Sequence, residues 1–291
     1  VIGAGPAGLM AAEELARAGV RVVVCEAKPS IGRKLLMAGK SGLNVTKAEG
    51  FEAFVARYDA PWLRPILAAF GPVEVQAWCR GLGQEVYTGS SGRVFPVAMK
   101  ASPLLRAWAE RLAAQGVEIR TRWRWTGLQG DGFGFDTPAG PQLLTPAVTV
   151  LALGGASWQR LGSDGAWVPW LKERGVAIAP WQPANMGFRV DWSPKMQPVF
   201  GHPVKGVALI VGPHRERGEF VISARGVEGG GIYSVYRYIR NGGNLALDLL
   251  PDLSEDDISR RLARMKPGDS TANRLRKLGL DRPQTALVME V

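Results

Sequence analysis

The sequence predicts an α/β fold, a doubly wound dinucleotide-binding domain joined to a β-rich insert. Three observations carry this expectation. A glycine turn, Gly3-x-Gly5-x-x-Gly8, stands between an apolar start and a helical run. An acid, Glu26, closes the next β-branched run, 23 residues after Gly3. From residue 184 onward the alternation of strand and helix gives way to short β-like pieces with scattered glycines.

The elements follow in chain order. Val1-Ile2 reads as a strand entering the turn, Leu9 to Ala18 as a helix, Gly19 as its C-terminal cap and Val20 to Cys25 as the second strand. The segment from Lys28 to Lys47 holds Lys28, Arg33, Lys34, Lys40 and Lys47 and no acid, the composition of an anion-facing loop. Residues 51–83 read as helix broken at Pro61, Pro65 and Pro72, and Glu85 to Phe95 as a hairpin turned by Ser90-Ser91-Gly92. Ser102-Pro103 predicts a helix start with the hydroxyl as cap, and Gly116 its end. A strand from Val117 to Thr121 follows, then a hairpin about Gly130-Asp131-Gly132, then a buried strand from Val148 to Leu153 that runs into Gly154-Gly155. Residues 184–250 form the β-rich insert. Residues 254–279 are helical, opening at Ser254-Glu255-Asp256-Asp257, where a hydroxyl and three acids suit a helix N-terminus. Ala286 to Val291 reads as a further strand. The expected division is a cofactor domain over 1–183 that resumes at about 286–291, and an insert over 184–285. Apolar runs at both ends suggest a natural chain that continues beyond them.

With 46% apolar and 21% charged residues in 291, the composition is that of a globular protein and excludes disordered and collagenous classes. No run approaches the ~18 apolar residues of a membrane span, and no basic-then-apolar leader is visible, so a cytoplasmic protein without a membrane partner is expected. Two cysteines, Cys25 and Cys79, exclude a disulfide framework, a CxxC redox pair and a zinc site. The net charge of +10 has two readings. Arg260, Arg261, Arg264, Lys266, Arg274, Arg276, Lys277 and Arg282 face only Asp269 and Asp281 within one segment, and Arg122-Trp123-Arg124-Trp125 interleaves cations with aromatic rings. Such clusters attract a polyanion such as nucleic acid, or they are merely a solvated surface.

The glycine turn carries the chemistry. In such turns the first glycine permits the sharp bend, the second lets backbone approach a pyrophosphate and the third lets helix pack on strand, while the helix N-terminus offers free N–H groups to the anion. Glu26 is placed to accept hydrogen bonds from ribose hydroxyls. NAD and FAD proteins share this fingerprint. The basic loop favours FAD, because an extended flavin dinucleotide needs protein around its second phosphate, ribityl chain and ring. No second fingerprint exists for a nicotinamide. The cluster Gly226-Val227-Glu228-Gly229-Gly230-Gly231, ahead of a helical run at Ile232 to Ile239, reads either as an anion site or as a plain turn.

Gly3-Ala4-Gly5-Pro6-Ala7-Gly8, Glu26-Ala27 and the run Ile31-Gly32-Arg33-Lys34-Leu35-Leu36-Met37-Ala38-Gly39-Lys40-Ser41-Gly42-Leu43-Asn44-Val45-Thr46 resemble the BaiN-like (YhiN-type) bacterial flavoproteins. Ser90 to Pro96, Val150 to Trp158 and Gly218 to Gly230 resemble the same family in the same order. The resemblance implies an FAD-dependent oxidoreductase with a two-dinucleotide-binding-type (Rossmann-like) FAD domain, an inserted β-barrel-like domain and a small helical extension. It places Gly3, Gly5, Pro6, Ala7 and Gly8 at the pyrophosphate and Glu26 with Ala27 at the AMP ribose. Arg33, Lys34, Gly39, Ser41, Gly42, Leu43 and Asn44 lie in the loop along the phosphates, ribityl and flavin. Lys40 is placed either beside the reduced ring or on a phosphate. Trp125 falls where backbone meets the adenine, and Gly154 and Gly155 complete the set. The substrate implied is a small molecule, with NAD(P)H as a transient electron donor; the alternative is an RNA-modifying or nucleic-acid-associated flavoprotein. Many members carry Arg-Cys-Asn where this chain has Gly42-Leu43-Asn44, so a thiol beside the flavin is missing here. The family closes its FAD site with a C-terminal glycine-rich segment lying beyond residue 291, so weak FAD occupancy is expected of this chain. His202 and His214, in the insert, are candidate acid or base groups, and no catalytic residue is assigned.

Overall fold

A computed structural model describes residues 1–39, 42–89 and 92–290. They form two compact units, Val1–Trp181 and Gln182–Val291.

The first unit contains, in order, α1 (Pro6–Arg17), β1 (Val23–Glu26), α2 (Arg33–Ala38), β2 (Thr46–Lys47), α3 (Phe51–Val55), α4 (Arg64–Ala69), α5 (Pro72–Gly81), β3 (Val86–Thr88), β4 (Arg93–Pro96), α6 (Ala101–Ala114), β5 (Glu118–Thr121), β6 (Arg124–Gln129), β7 (Gly132–Thr137), β8 (Gly140–Leu144) and α7 (Val168–Lys172). β1 pairs in parallel with β5, and Ile2 bridges in parallel to Cys25 on one side and Leu151 on the other. The spatial order β5, β1, Ile2, Leu151 is that of a doubly wound sheet seen at its centre. α1 buries Leu9 and Ala12 against Val24 of the sheet and Leu104, Trp108 and Leu112 of α6. It ends in a Schellman turn, the Val20 N–H reaching the Leu15 carbonyl at 3.0 Å around Gly19. The prolines break the region after residue 51 as expected, Pro65 and Pro72 each opening a helix. β2, β4 and β3 make a small antiparallel sheet; the expected turn residues Ser90 and Ser91 lie outside the described residues. β6, β7 and β8 form a meander, one strand more than the expected hairpin.

Two expectations in this unit are corrected. α6 begins at Ala101 with Lys100 at its N-cap, and the Ser102 hydroxyl caps nothing. Ala101 is 2% exposed and packs against Gly39, where a Cβ would stand 2.6 Å from its own, and this packing draws the first turn earlier than the proline signal implies. Residues 148–153 are not a buried strand. Only Leu151 makes a ladder bridge, its partner Ile2 being a single residue, and Val148 is 81% exposed.

The second unit contains β9 (Phe188–Arg189), β10 (Pro203–Val211), β11 (His214–Ser223), β12 (Gly226–Glu228), α8 (Gly230–Arg240), β13 (Leu245–Asp248), α9 (Glu255–Ala263), α10 (Thr271–Leu278) and α11 (Arg282–Glu290). Its sheet runs β13-β10-β11-β12-β9, all antiparallel. Among the described residues it does not close, so it is half a barrel. Val204, Leu209, Phe220 and Ile222 alternate inward along the long hairpin and pack on Ile232 and Val235 of α8. Ser254 caps α9 in a capping box with Asp257, as its sequence announces. A strand is expected over residues 286–291; residues 286–290 are instead part of α11, and Val291 lies outside the described residues. Asp281 and Gln284 exchange N–H to side-chain oxygen bonds of 2.9 Å each way, a capping box that starts a helix two residues ahead of Pro283. Pro283, Gln284 and Leu287 are buried and Val288 and Met289 exposed, a helical rather than alternating pattern.

Candidate functional site: the glycine turn and its basic rim

The three glycines of the turn separate into two kinds. Gly3 has φ +102°, and a Cβ there would stand 2.4 Å from the Ala152 carbonyl oxygen. A Cβ on Gly8 would stand 1.9 Å from the Gly3 oxygen. Both positions are packed shut by the protein itself. Gly5 is the opposite: it has extended backbone, φ −79° and ψ 179°, and nothing lies within 4 Å of the place a Cβ would take. The open space in front of Gly5 lies at the N-terminus of α1. The first helical bond there runs from the Leu9 N–H to the Gly5 carbonyl, 3.0 Å, so the N–H groups of Ala7 and Gly8 have no acceptor within the helix. Pro6 and Ala7 are exposed at this end.

The loop that leads into α2 is bonded to the turn, the Gly32 N–H reaching the Ala4 carbonyl at 2.8 Å, and its side chains are basic. Lys34 donates to Ser157 Oγ at 3.0 Å and Ser163 Oγ at 3.3 Å, and the Ser163 hydroxyl in turn donates to the Gly155 carbonyl at 3.2 Å. This chain of bonds brings α2 to the Gly154-Gly155 segment, more than 120 residues away in sequence. Lys34 thus rests on neutral hydroxyls, and among the described residues no carboxylate pairs with it. Arg33 bonds Ser30 Oγ at 3.2 Å through one terminal nitrogen, while its buried Nε has no partner. Uncompensated cations, an orphaned guanidinium nitrogen, free helix N–H groups and an open glycine face form a donor set that fits the pyrophosphate of a dinucleotide.

Glu26 is held at the end of β1. One carboxylate oxygen accepts the Ala4 N–H and the other the Lys28 N–H, both at 2.8 Å. An ionised carboxylate accepts about four hydrogen bonds, so each oxygen keeps capacity for a ribose hydroxyl. Ala27 beside it is exposed. Further along the loop, Gly39 is buried against Ala101, Gly42 has φ +136° with Met99 against it, Leu43 belongs to the hydrophobic core and Asn44 is exposed. Lys40 and Ser41 lie outside the described residues. Trp125 is buried in the meander, its indole N–H donating to the Gly127 carbonyl at 2.8 Å and its ring edge-on to Trp170. Its side chain is therefore occupied between its own sheet and α7. His202 and His214 are exposed in the second unit, His214 stacked on Tyr238 at 3.6 Å.

Sequence reasoning missed Glu13. This carboxylate, 1% exposed, accepts the Trp108 indole N–H at 2.6 Å, the Trp78 indole N–H at 3.2 Å and an Arg111 guanidinium bond at 2.9 Å. It ties α1 to α5 and α6 directly behind the glycine turn. An acid on the apolar face of an amphipathic helix was the available signal. Ser157 and Ser163 were also missed, and no local pattern marks them.

A parallel sheet, a glycine turn opening a helix and an acid at the end of the neighbouring strand define a Rossmann-type dinucleotide-binding domain. The chain belongs to the HI0933-like protein Rossmann domain family, whose model matches residues 1–249. Over 270 residues it is 27% identical to the 3-dehydro-bile acid delta(4,6)-reductase of Clostridium scindens, covering 89% of this chain and 66% of that protein. Over 277 residues it is 21% identical to the ribosomal RNA dihydrouridine synthase of Escherichia coli, covering 94% of this chain and 69% of that one. The chain thus spans about two thirds of the length of these relatives. Among solved structures, the 3-ketosteroid-delta4-(5alpha)-dehydrogenase of Rhodococcus jostii aligns over 99% of this chain and 75% of its own, with TM-score 0.51 and 15% identity, a likeness of fold.

Proposed function

We propose that this chain is the FAD-holding part of an oxidoreductase that saturates a carbon–carbon double bond conjugated to a carbonyl. The observation that carries the reading is the open face of Gly5 at the α1 N-terminus, with the turn bonded to the loop of Arg33 and Lys34, cations that pair with no carboxylate among the described residues. The choice of reaction rests on the two curated relatives, a delta(4,6)-reductase and a dihydrouridine synthase, since both names describe reduction of such a bond.

FAD, when bound, supplies the two-electron chemistry. The chain's own residues hold it. The N–H groups of Ala7 and Gly8 meet the pyrophosphate across Gly5, with Pro6 fixing the first helical residue, and Gly3 and Gly8 keep the turn tight. Glu26 and Ala27 face the AMP ribose. Arg33 and Lys34 balance phosphate charge, and Lys34 also fastens Gly154-Gly155 at the rim. Gly39, Gly42, Leu43 and Asn44 belong to the loop that leads toward the ring, as do Lys40 and Ser41, which lie outside the described residues, and the backbone at Trp125 meets the adenine. NAD(P)H is the proposed electron donor. The test is an anaerobic absorbance titration of the flavin-loaded protein with NADH and then NADPH. Bleaching of the flavin bands supports a reductase fed by nicotinamide; bound flavin that neither donor reduces removes the donor, and a protein that takes up no flavin removes the whole reading.

A second reading keeps the chemistry and places the double bond in an RNA base. In the segment after α9 begins, Arg260 pairs with Asp257 and Lys277 with Asp269. Arg261, Arg264, Lys266, Arg276 and Arg282 are exposed and, among the described residues, pair with no carboxylate. Such a face suits phosphates, and binding of ribosomal RNA fragments that falls steeply with salt supports this reading, whereas no retention on heparin at low salt removes it.

A further inference from the structure

Next to the glycine turn, the first unit holds an apolar cleft of about 190 Å³. Met10 of α1, Val75 and Trp78 of α5 and Trp108 of α6 form its walls, with Phe70 at its rim. The two indoles stand edge to face, centroids 4.7 Å apart at 81°, so they present two flat surfaces at a right angle. Both indole N–H groups are turned onto Glu13 and offer nothing to the cleft. Among the described residues no charged side chain lines it, and the polar side-chain group there is the exposed amide of Asn44, which with Pro6 joins the cleft to the proposed flavin site.

A second observation extends the same surface. Trp62, Ile66 and Phe70 follow one another at four-residue spacing and are 70%, 57% and 38% exposed. Phe70 belongs both to this apolar stripe and to the cleft. Soluble proteins rarely expose such a run of large apolar side chains unless something binds there. The cleft alone is smaller than the ~300 Å³ or more of a site that encloses a drug-sized molecule. It is large enough for the leading rings of a longer one whose remainder lies along the stripe.

We infer that this cleft is the substrate's own subsite, taking the flat apolar ring body of an α,β-unsaturated ketone with the Asn44 amide donating to its oxygen. The inference rests on the reading of the chain as a flavin-dependent reductase of a conjugated double bond. A phosphate-bearing substrate does not suit this lining, because its charge would be desolvated among carbon atoms with no cation among the described residues to meet it.

The test is equilibrium dialysis of the purified chain against 4-androstene-3,17-dione, with Val75→Trp to fill the cleft and Phe70→Ala to strip its rim. Saturable binding is expected, weakened about tenfold or more by Val75→Trp and several-fold by Phe70→Ala, with helical circular dichroism and flavin content unchanged. Phe70 is partly exposed, so its variant reports even where the larger residue disturbs folding. Uridine 5′-monophosphate should not compete. Absence of saturable binding, equal binding in Phe70→Ala and the parent, or competition by the nucleotide overturns the inference. Binding that follows the variants in a protein taking up no flavin removes the reductase reading and leaves the cleft; flavin turnover of another substrate without ketone binding removes the cleft alone.

Discussion

Gly5 and Gly8 stand three residues apart and are glycine for opposite reasons. A methyl group on Gly8 collides with the Gly3 carbonyl, 1.9 Å away, and the backbone must yield. Gly8→Ala is therefore expected to destabilise the first unit by about 3 kcal/mol or more, read from the midpoint of urea unfolding without flavin. A methyl group on Gly5 enters open space on backbone that any residue adopts, so Gly5→Ala should leave that midpoint within about 0.5 kcal/mol and lower FAD affinity at least tenfold by titration. Equal loss of stability in both variants would contradict the division of roles. Glu13 shows what a residue-level reading of sequence leaves out. Its partners Trp78, Trp108 and Arg111 are 65 to 98 positions away, and only the packing of three helices assembles them. Glu13→Ala strands one buried and one partly buried indole donor and a guanidinium, and should cost about 3–5 kcal/mol in the same urea measurement.

Elements were legible where one local signal fixes both period and boundary. Ser254 with Asp257 gave the start of α9, and the glycine turn gave the presence of α1 and β1, with α1 opening three residues ahead of the expected Leu9, because capping and turn geometry are settled within a few residues. They were illegible where tertiary pairing decides. Val148 to Leu153 has the apolar content of a buried strand, yet a ladder needs a partner, and Ile2 offers one residue. At α11 the apolar content of Ala286 to Met289 suggested a strand, while the reciprocal Asp281–Gln284 box sets a helical start. That helix has a pH-sensitive end. The Glu290 carboxylate accepts both the N–H and the hydroxyl of Ser193, at 2.5 and 2.6 Å, and these bonds hold its pKa below the ordinary glutamate range. A depressed carboxylate contributes its stability above the unfolded pKa of about 4.3 and loses it as pH falls through the folded value. Amide exchange at the end of α11 should therefore quicken relative to the rest of the helix below about pH 4. Glu290→Gln should show the faster exchange already at neutral pH; exchange unchanged by pH and substitution would mean that the bonds to Ser193 do not hold the helix end.

At the scale of the molecule, the two units have separate cores. Ala4, Leu9, Val24, Leu104 and Trp108 build one, and Val204, Leu209, Phe220, Ile232 and Leu287 the other. Every residue proposed to hold FAD lies in the first. A ligand that binds one folded unit stabilises that unit by RT ln(1 + [L]/Kd), about 2.7 kcal/mol at one hundred times Kd. The cysteines make this measurable unit by unit, since Cys25 and Cys79 are the chain's two thiols, both in the first unit and both buried. Burial pushes the Cys79 thiol up to about 11 and Cys25 upward as well, so neither presents a thiolate to a reagent while the fold is intact. Thiol labelling along a urea series thus follows the first unit, and exchange at β10 and β11 follows the second. Excess FAD should move the labelling transition to higher urea and leave the exchange transition of the second unit in place. If both transitions move together by the same amount, the two units unfold as one cooperative body.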